Sequence, residues 1–184
     1  MTSPMLPLAL LLTSLLPLQQ DSPSPQWGRR IEWAKEGAPL AREHAALIVD
    51  PVHSRAVMIG GSGYQPYGKP LADAWAFDWA DEAWSPLKLS GDEFTAGGSR
   101  RAASVENGAF LHGGYGRGFA PVGVMWQASF EQDEVVLTRV DQENAPPARL
   151  LHAFTCDPSG EYFVVYGGGG EQGVLDDTWI GRRT

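Results

Sequence analysis

The sequence predicts an all-β fold assembled from three copies of one short-strand unit, and three observations carry that prediction. A run of apolar residues ends in a Gly-Gly pair three times, at Gly60-Gly61, Gly113-Gly114 and Gly167-Gly168, spaced 53 and 54 residues apart. A tryptophan follows each pair in step, at Trp75, Trp126 and Trp179, spaced 51 and 53 residues apart. Finally, 22 glycines and 14 prolines in 184 residues supply the turns that many short strands need. A period near 50 residues made of short strands marks a repeat architecture in which each unit is one small antiparallel sheet.

Taken in order, the chain opens on residues 1–20, where positions 6–18 are almost wholly apolar. Thirteen residues are too few to span a bilayer comfortably, so this stretch reads as the apolar region of a secretory signal. Residues 21–26 follow as a polar leader, and the expected location is secreted or periplasmic, with no membrane contact after signal removal. Residues 27–33 contain Gly28-Arg29-Arg30-Ile31-Glu32-Trp33, strand-like and placed as the fourth strand of a preceding unit.

The first unit is predicted over 39–88. Residues 42–49 and 55–59 make two strands around the turn Asp50-Pro51-Val52-His53-Ser54. After a loop holding Tyr64, Tyr67 and Lys69, residues 73–78 alternate large apolar with small or polar groups, as a half-buried strand does. Trp84-Ser85-Pro86-Leu87 is a fourth, outer strand, where proline is tolerated. The second unit, 95–140, begins near Arg100-Arg101 and has a tighter first hairpin, with Asn107-Gly108 as its two-residue turn. It continues through Gly113-Gly114 to Val124-Met125-Trp126 and Val135-Val136-Leu137. The third, 147–184, runs from residues 149–154 over Asp157-Pro158-Ser159-Gly160 to residues 162–166, the glycine pair and Asp177-Thr178-Trp179-Ile180, with no fourth strand legible.

This pattern resembles the kelch repeat family: an Arg- or His-bearing first strand, a hydrophobic second strand ending in Gly-Gly, and an Asp-x-Trp third strand. Arg42, His44, Asp73 and Trp75 match in the first unit, and Arg149, His152, Asp177 and Trp179 in the third, with His44 and His152 read as equivalent. The second unit departs, with Val124 at the Asp position and Ala102 or Ala103 at the His position. The resemblance implies kelch-type β-propeller blades, three four-stranded antiparallel ones, as an incomplete propeller or half of a closed one. It further implies that residues 27–33 are the closing strand, and that further blades or a second copy of the chain complete the ring.

Composition narrows the partners. A net charge of −8 and a pI near 4.9 leave no basic surface for a phosphate backbone, so nucleic acid is not an expected ligand. Cys156 is the single cysteine, which excludes an intramolecular disulfide and is read as a small buried hydrophobe. His44, His53, His112 and His152 show no close ligand spacing, so neither a metal nor a cofactor is expected. The runs Gly60-Gly61-Ser62-Gly63 and Gly167-Gly168-Gly169-Gly170 lack the Gly-Lys-Ser/Thr ending of a phosphate cradle.

The functional expectation comes from topology. The loops between second and third strands share one face with the connections from unit to unit. That face is expected to gather Tyr64, Tyr67, Lys69, Tyr115, Arg117 and Phe119 with Arg42, Arg100 and Arg149. Such a mixture suits carboxylates through bidentate arginine contacts and sugars or peptides through ring stacking. The reading is a non-enzymatic, exported module that binds a protein or glycan. The alternative is a secreted sugar-acting enzyme, mutarotase- or lyase-like, in which a Glu or His with an Arg does acid–base work.

Overall fold

The computed structural model describes residue 27, residues 37–63 and residues 68–183. The expected signal and leader, the expected closing strand beyond Trp27, and Tyr64 and Tyr67 lie outside the described residues. What is described is all-β apart from one 3-10 turn at Arg117–Phe119.

The first unit contains β1 (Arg42–Glu43), β2 (Ala46–Asp50), β3 (Arg55–Ile59), β4 (Ser62–Gly63), β5 (Lys69–Pro70), β6 (Ala74–Asp78) and β7 (Ala83–Gly91). The second contains β8 (Arg101–Val105), β9 (Gly108–His112), β10 (Met125–Phe130) and β11 (Glu134–Val140). The third contains β12 (Ala153–Cys156), β13 (Tyr162–Gly170) and β14 (Gly173–Arg182). β2-β3-β6-β7 and β8-β9-β10-β11 are antiparallel four-stranded sheets in chain order, β12-β13-β14 is three-stranded, and β1-β4-β5 is a small satellite sheet. Strands form along most of the predicted runs and in the predicted order, but the first unit's opening strand splits into β1 and β2, the third unit's begins at Ala153 rather than Arg149, and the expected closing strand lies outside the described residues.

The sequence does not foretell how the first two sheets join. β7 pairs with β6 over Ala83–Asp78 to Leu87–Ala74, then continues and pairs in parallel with β11, Lys88 to Gly91 against Glu134 to Leu137. The outcome is one eight-stranded mixed sheet whose terminal strands, β2 and β8, lie against each other, so that it nearly closes on itself. Inside sits the main core, with Ile48, Val57 and Ile59 from the first unit against Leu111, Trp126, Val135 and Leu137 from the second. β2 shows the alternation that produces this: Ala46, Ile48 and Asp50 are buried while Leu47 and Val49 face outward. Burying a side chain of this size contributes about 1.5–3 kcal/mol, so the shared core joins the two units more firmly than any strand pairing at the rim.

The Gly-Gly pairs repeat as backbone geometry. The first glycine has φ of 64°, 62° and 60° in the three units and the second 102°, 90° and 100°, conformations that strain any residue with a Cβ. The first two pairs also stitch units together. Gly61 N donates to Gly97 O at 2.9 Å, and Gly114 N donates to Arg149 O at 2.8 Å. These two bonds set the true repeat alignment and correct the sequence reading. Gly97 stands where Arg149 stands, and His44, Ser99 and Leu151 share one left-handed position, with φ of 59°, 54° and 56°. His44 and His152 are therefore one residue out of phase.

A second correction concerns the tight hairpin. Val105 pairs with Gly108, so the turn is Glu106-Asn107 and Gly108 lies in β9. A Cβ at Gly108 would stand 2.0 Å from the Ala128 carbonyl oxygen, and its φ of 137° strains any residue with a Cβ, so glycine is required there by the approach of β10 as well as by the backbone.

Candidate functional site

The arginines of the expected binding face divide into two groups. Arg42 sits on β1 and reaches under the first glycine pair. Its Nη1 and Nη2 donate to the two carboxylate oxygens of Asp73 at 2.6 and 2.8 Å, and Nη1 also donates to Gly60 O at 3.0 Å. Trp75 Nε1 donates to the same carboxylate at 2.8 Å. The third unit repeats the arrangement: Arg149 donates to Asp177 at 2.7 and 2.9 Å and to Gly167 O at 3.0 Å, and Trp179 Nε1 donates to Asp177 at 2.6 Å. The kelch-like Arg, Asp and Trp positions thus form one hydrogen-bonded set that ties the start of the first strand to the third. Burial pushes Asp73 up, but bonds from Arg42 and Trp75 outweigh it and hold the carboxyl below its ordinary range. Asp177 is held lower still, chiefly by Arg149. In both arginines the donors are committed within the unit.

The second unit cannot build this set, because Gly97 and Val124 replace the arginine and the aspartate. Arg100, three residues on, fills the space instead. Its guanidinium lies 4.4 Å over the Phe94 ring and Nη2 donates to Thr95 O at 2.6 Å. Among the described residues Nε and Nη1 have no partner, and burial lowers its pKa to about 10. Arg101, which the sequence groups with it, donates from Nε to His152 O at 2.7 Å and so braces β8 on the third unit.

Around Arg100 the loop face is organised by Tyr115. Its backbone exchanges hydrogen bonds with Gly98 at 2.8 and 3.2 Å. Its hydroxyl bonds to Ser62 Oγ and lies 3.1 Å from His44 Nδ1, so one buried phenol joins the first-unit loop to the second. The following 3-10 turn then lifts Phe119 out. Phe119 has φ of 61°, packs its ring 4.8 Å from Tyr115, and leans on Gly68, where an added Cβ would lie 3.1 Å from the ring. It is nevertheless 52% exposed. A left-handed backbone at a bulky aromatic is costly and persists only where the surroundings impose it. Exposed Arg117, two residues earlier, and exposed Lys69 on β5, next to Gly68, complete the face.

Sequence reasoning misses two other polar clusters. Asp50, fully buried, accepts from Arg55 Nε at 2.9 Å and lies 2.8 Å from His53 Nδ1. Arg55 then donates to the carbonyls of Glu131 and Gln132 in the second unit. Between the second and third units, His112 Nδ1 and His152 Nε2 are 3.0 Å apart, both rings are buried, and His112 stacks on Phe154. Burial first, then Arg149, lowers the His112 pKa; burial and then the neighbouring His112, Arg101 and Arg149 lower that of His152. Pairing across units leaves no local spacing to find. Cys156 is half-buried rather than fully buried, its thiol pushed up by burial and by Asp157.

The fold and face define an all-β protein of in-phase repeats with an aromatic, cationic loop surface. No family model matches the chain. About half of it is similar to plant proteins: it is 30% identical over 97 residues to Adagio-like protein 1 of Oryza sativa subsp. japonica and 33% identical over 95 residues to Adagio protein 3 of Arabidopsis thaliana. The matched stretch is 53% and 48% of this chain respectively, and 15% of each relative.

Proposed function

We propose that the chain is a β-rich protein-interaction module of kelch-propeller type that binds a protein partner through the loop face around Phe119. The distant similarity to the Adagio proteins and the recurring Arg–Asp–Trp and Gly-Gly geometry support the reading. The observation that carries it is Phe119 itself, an aromatic held half-exposed on a left-handed backbone by Tyr115 and Gly68, with Arg117 and Lys69 beside it. Aromatic and arginine side chains at the centre of a patch dominate binding energies, each costing about 2 kcal/mol or more on truncation. The two cations favour a partner segment bearing carboxylates.

Affinity capture with the full chain, followed by titration calorimetry on the captured protein, tests this. Phe119→Ala is expected to weaken binding at least tenfold and Arg117→Glu comparably. Val52→Ala, in the β2–β3 turn at the opposite end of the strands, leaves it unchanged. Equal losses from all three variants, or none from Phe119→Ala, would place the binding surface elsewhere; a captured glycan in place of a protein would favour the carbohydrate reading.

A further inference from the structure

The two junctions between successive units are built from matching rows of side chains, and they are filled differently. On the first unit the row turned toward the second is Ile59, Ala74 and Leu87, neighbours across paired strands and so on one face. It meets Leu111 and Trp126 of the second unit, and all five are buried in the main core. Phe94, on the connection from β7 to β8, sets its ring 5.8 Å from that of Trp126 and completes the packing.

At the second junction the matching rows are His112, Met125 and Val140 from the second unit and Phe154, Val165 and Trp179 from the third. His112 stacks on Phe154, yet all six residues also line a cavity of about 730 Å³ between the rows. Its walls are two sheets packed on each other, not the outer face of either. Three replacements accompany it. Ile59 gives way to His112; Leu89, two residues past Leu87, to Gln142, two past Val140; and Phe94, three before Gly97, to Pro146, three before Arg149. Gln142 and Pro146 both line the cavity. Interiors are close-packed, and this volume falls in the range of small-molecule sites, about 300–1,000 Å³.

The wall also carries one buried polar group. His112 is 1% exposed, its Nδ1 lies 3.0 Å from His152 Nε2, and its own Nε2 has no partner among the described residues. The bond between the rings holds one proton, so Nε2 of His112 serves as acceptor or donor according to which ring donates. Burial keeps this imidazole uncharged. Exposed on the rim, Asp141 and Glu143 balance Arg182 and Arg183, so neither sign of ligand is favoured there.

We propose that this cavity binds an uncharged planar aromatic molecule, its ring against Trp179 as that of Phe94 lies against Trp126, and its hydroxyl or ring N–H bonded to His112 Nε2. The site is separate from the loop face around Phe119.

Magnetic resonance titration of the full chain with phenol, toluene and benzoate tests this, each probe being one ring of the size Phe94 supplies. Wild type is expected to bind phenol about tenfold more tightly than toluene or benzoate, with the imidazole nitrogen signals of His112 shifting as phenol is added. His112→Phe, which keeps a ring on Phe154 and also assigns those signals, is expected to bind phenol no better than toluene. Pro146→Phe supplies the missing ring and is expected to abolish binding of both while raising the thermal midpoint. Phe119→Ala is expected to bind phenol as wild type does, so loss of a partner at the loop face and loss of this ligand are read separately. Equal affinities for the three probes, a His112 signal that does not move, phenol binding that survives Pro146→Phe, or a midpoint that falls in Pro146→Phe each overturns the proposal. The last outcome would mean that residues of the chain itself already fill the cavity.

Discussion

Replacing Asp50 by alanine is expected to lower the unfolding free energy by about 3–5 kcal/mol, read as a fall in the urea midpoint at unchanged slope. Asp50 is 1% exposed and its carboxylate is the charged partner of Arg55, whose guanidinium otherwise donates, among the described residues, to the carbonyls of Glu131 and Gln132. Removing the carboxylate leaves a buried cation without an anion, which costs far more than the pair itself contributes. Asp50→Asn, which keeps the shape and loses the charge, is expected to fall in the same direction by less. The double variant Asp50→Leu/Arg55→Met removes both charges at similar volume and is expected to recover most of the loss. Costs that simply add in the double variant, or a loss below about 1 kcal/mol in Asp50→Ala, would show that the unpaired charge is not the cause. Because Arg55 reaches the β10–β11 turn, the same variant loosens the first unit on the second, and with it the spacing of Lys69 and Phe119 on the loop face.

What the sequence reveals and conceals follows from whether an interaction repeats. Gly60-Gly61, Gly113-Gly114 and Gly167-Gly168 do the same geometric work three times, so their spacing marks the strands around them before any coordinates are known. Arg42 with Asp73 and Arg149 with Asp177 are likewise legible as a pattern, but whether their guanidinium groups face a ligand or a carboxylate is decided by the fold of β1 against β6. The second unit breaks the pattern at Gly97 and Val124, and there spacing alone misplaces Arg100, which is not the counterpart of Arg149. The parallel pairing of β7 with β11 leaves no signature, since Lys88 to Gly91 carry no new period and end in Ser90-Gly91, which reads as a turn rather than as a continuing strand. The strained Phe119 is also silent in the sequence, because a left-handed phenylalanine is imposed by Tyr115 and Gly68 from outside its own segment.

The His112–His152 pair makes stability depend on pH, and the direction can be worked out from its surroundings. A hydrogen bond between Nδ1 of one ring and Nε2 of the other uses one proton, and with both rings held neutral by burial and the nearby arginines, one tautomer determines the other. The far nitrogens, His112 Nε2 and His152 Nδ1, are buried without a partner among the described residues, and an added proton would face Arg149 and Arg101 as well as the second ring. Both groups therefore titrate below the ordinary histidine value of about 6.5 that they regain on unfolding. Between those limits the unfolded chain binds more protons than the folded one. The contribution is fully present above about pH 6.5 and is lost as pH falls, up to about 1.4 kcal/mol per pH unit for each ring. The loss is complete for His112 only near pH 4 and for His152 only near pH 3, where each takes up a proton in the folded state. Asp73 and Asp177, held low by their arginines, add their own loss only under more acidic conditions, so they do not contaminate this window. Urea midpoints measured from pH 7 to pH 5 are expected to fall by the equivalent of about 2–4 kcal/mol in wild type. The double variant His112→Gln/His152→Gln keeps a hydrogen bond between the two positions and cannot titrate, so its midpoint is expected to stay nearly level over the same range. A wild-type midpoint that does not move, or a double variant that falls as steeply, would mean that the pair is already charged in the folded protein or that another group governs its acid sensitivity.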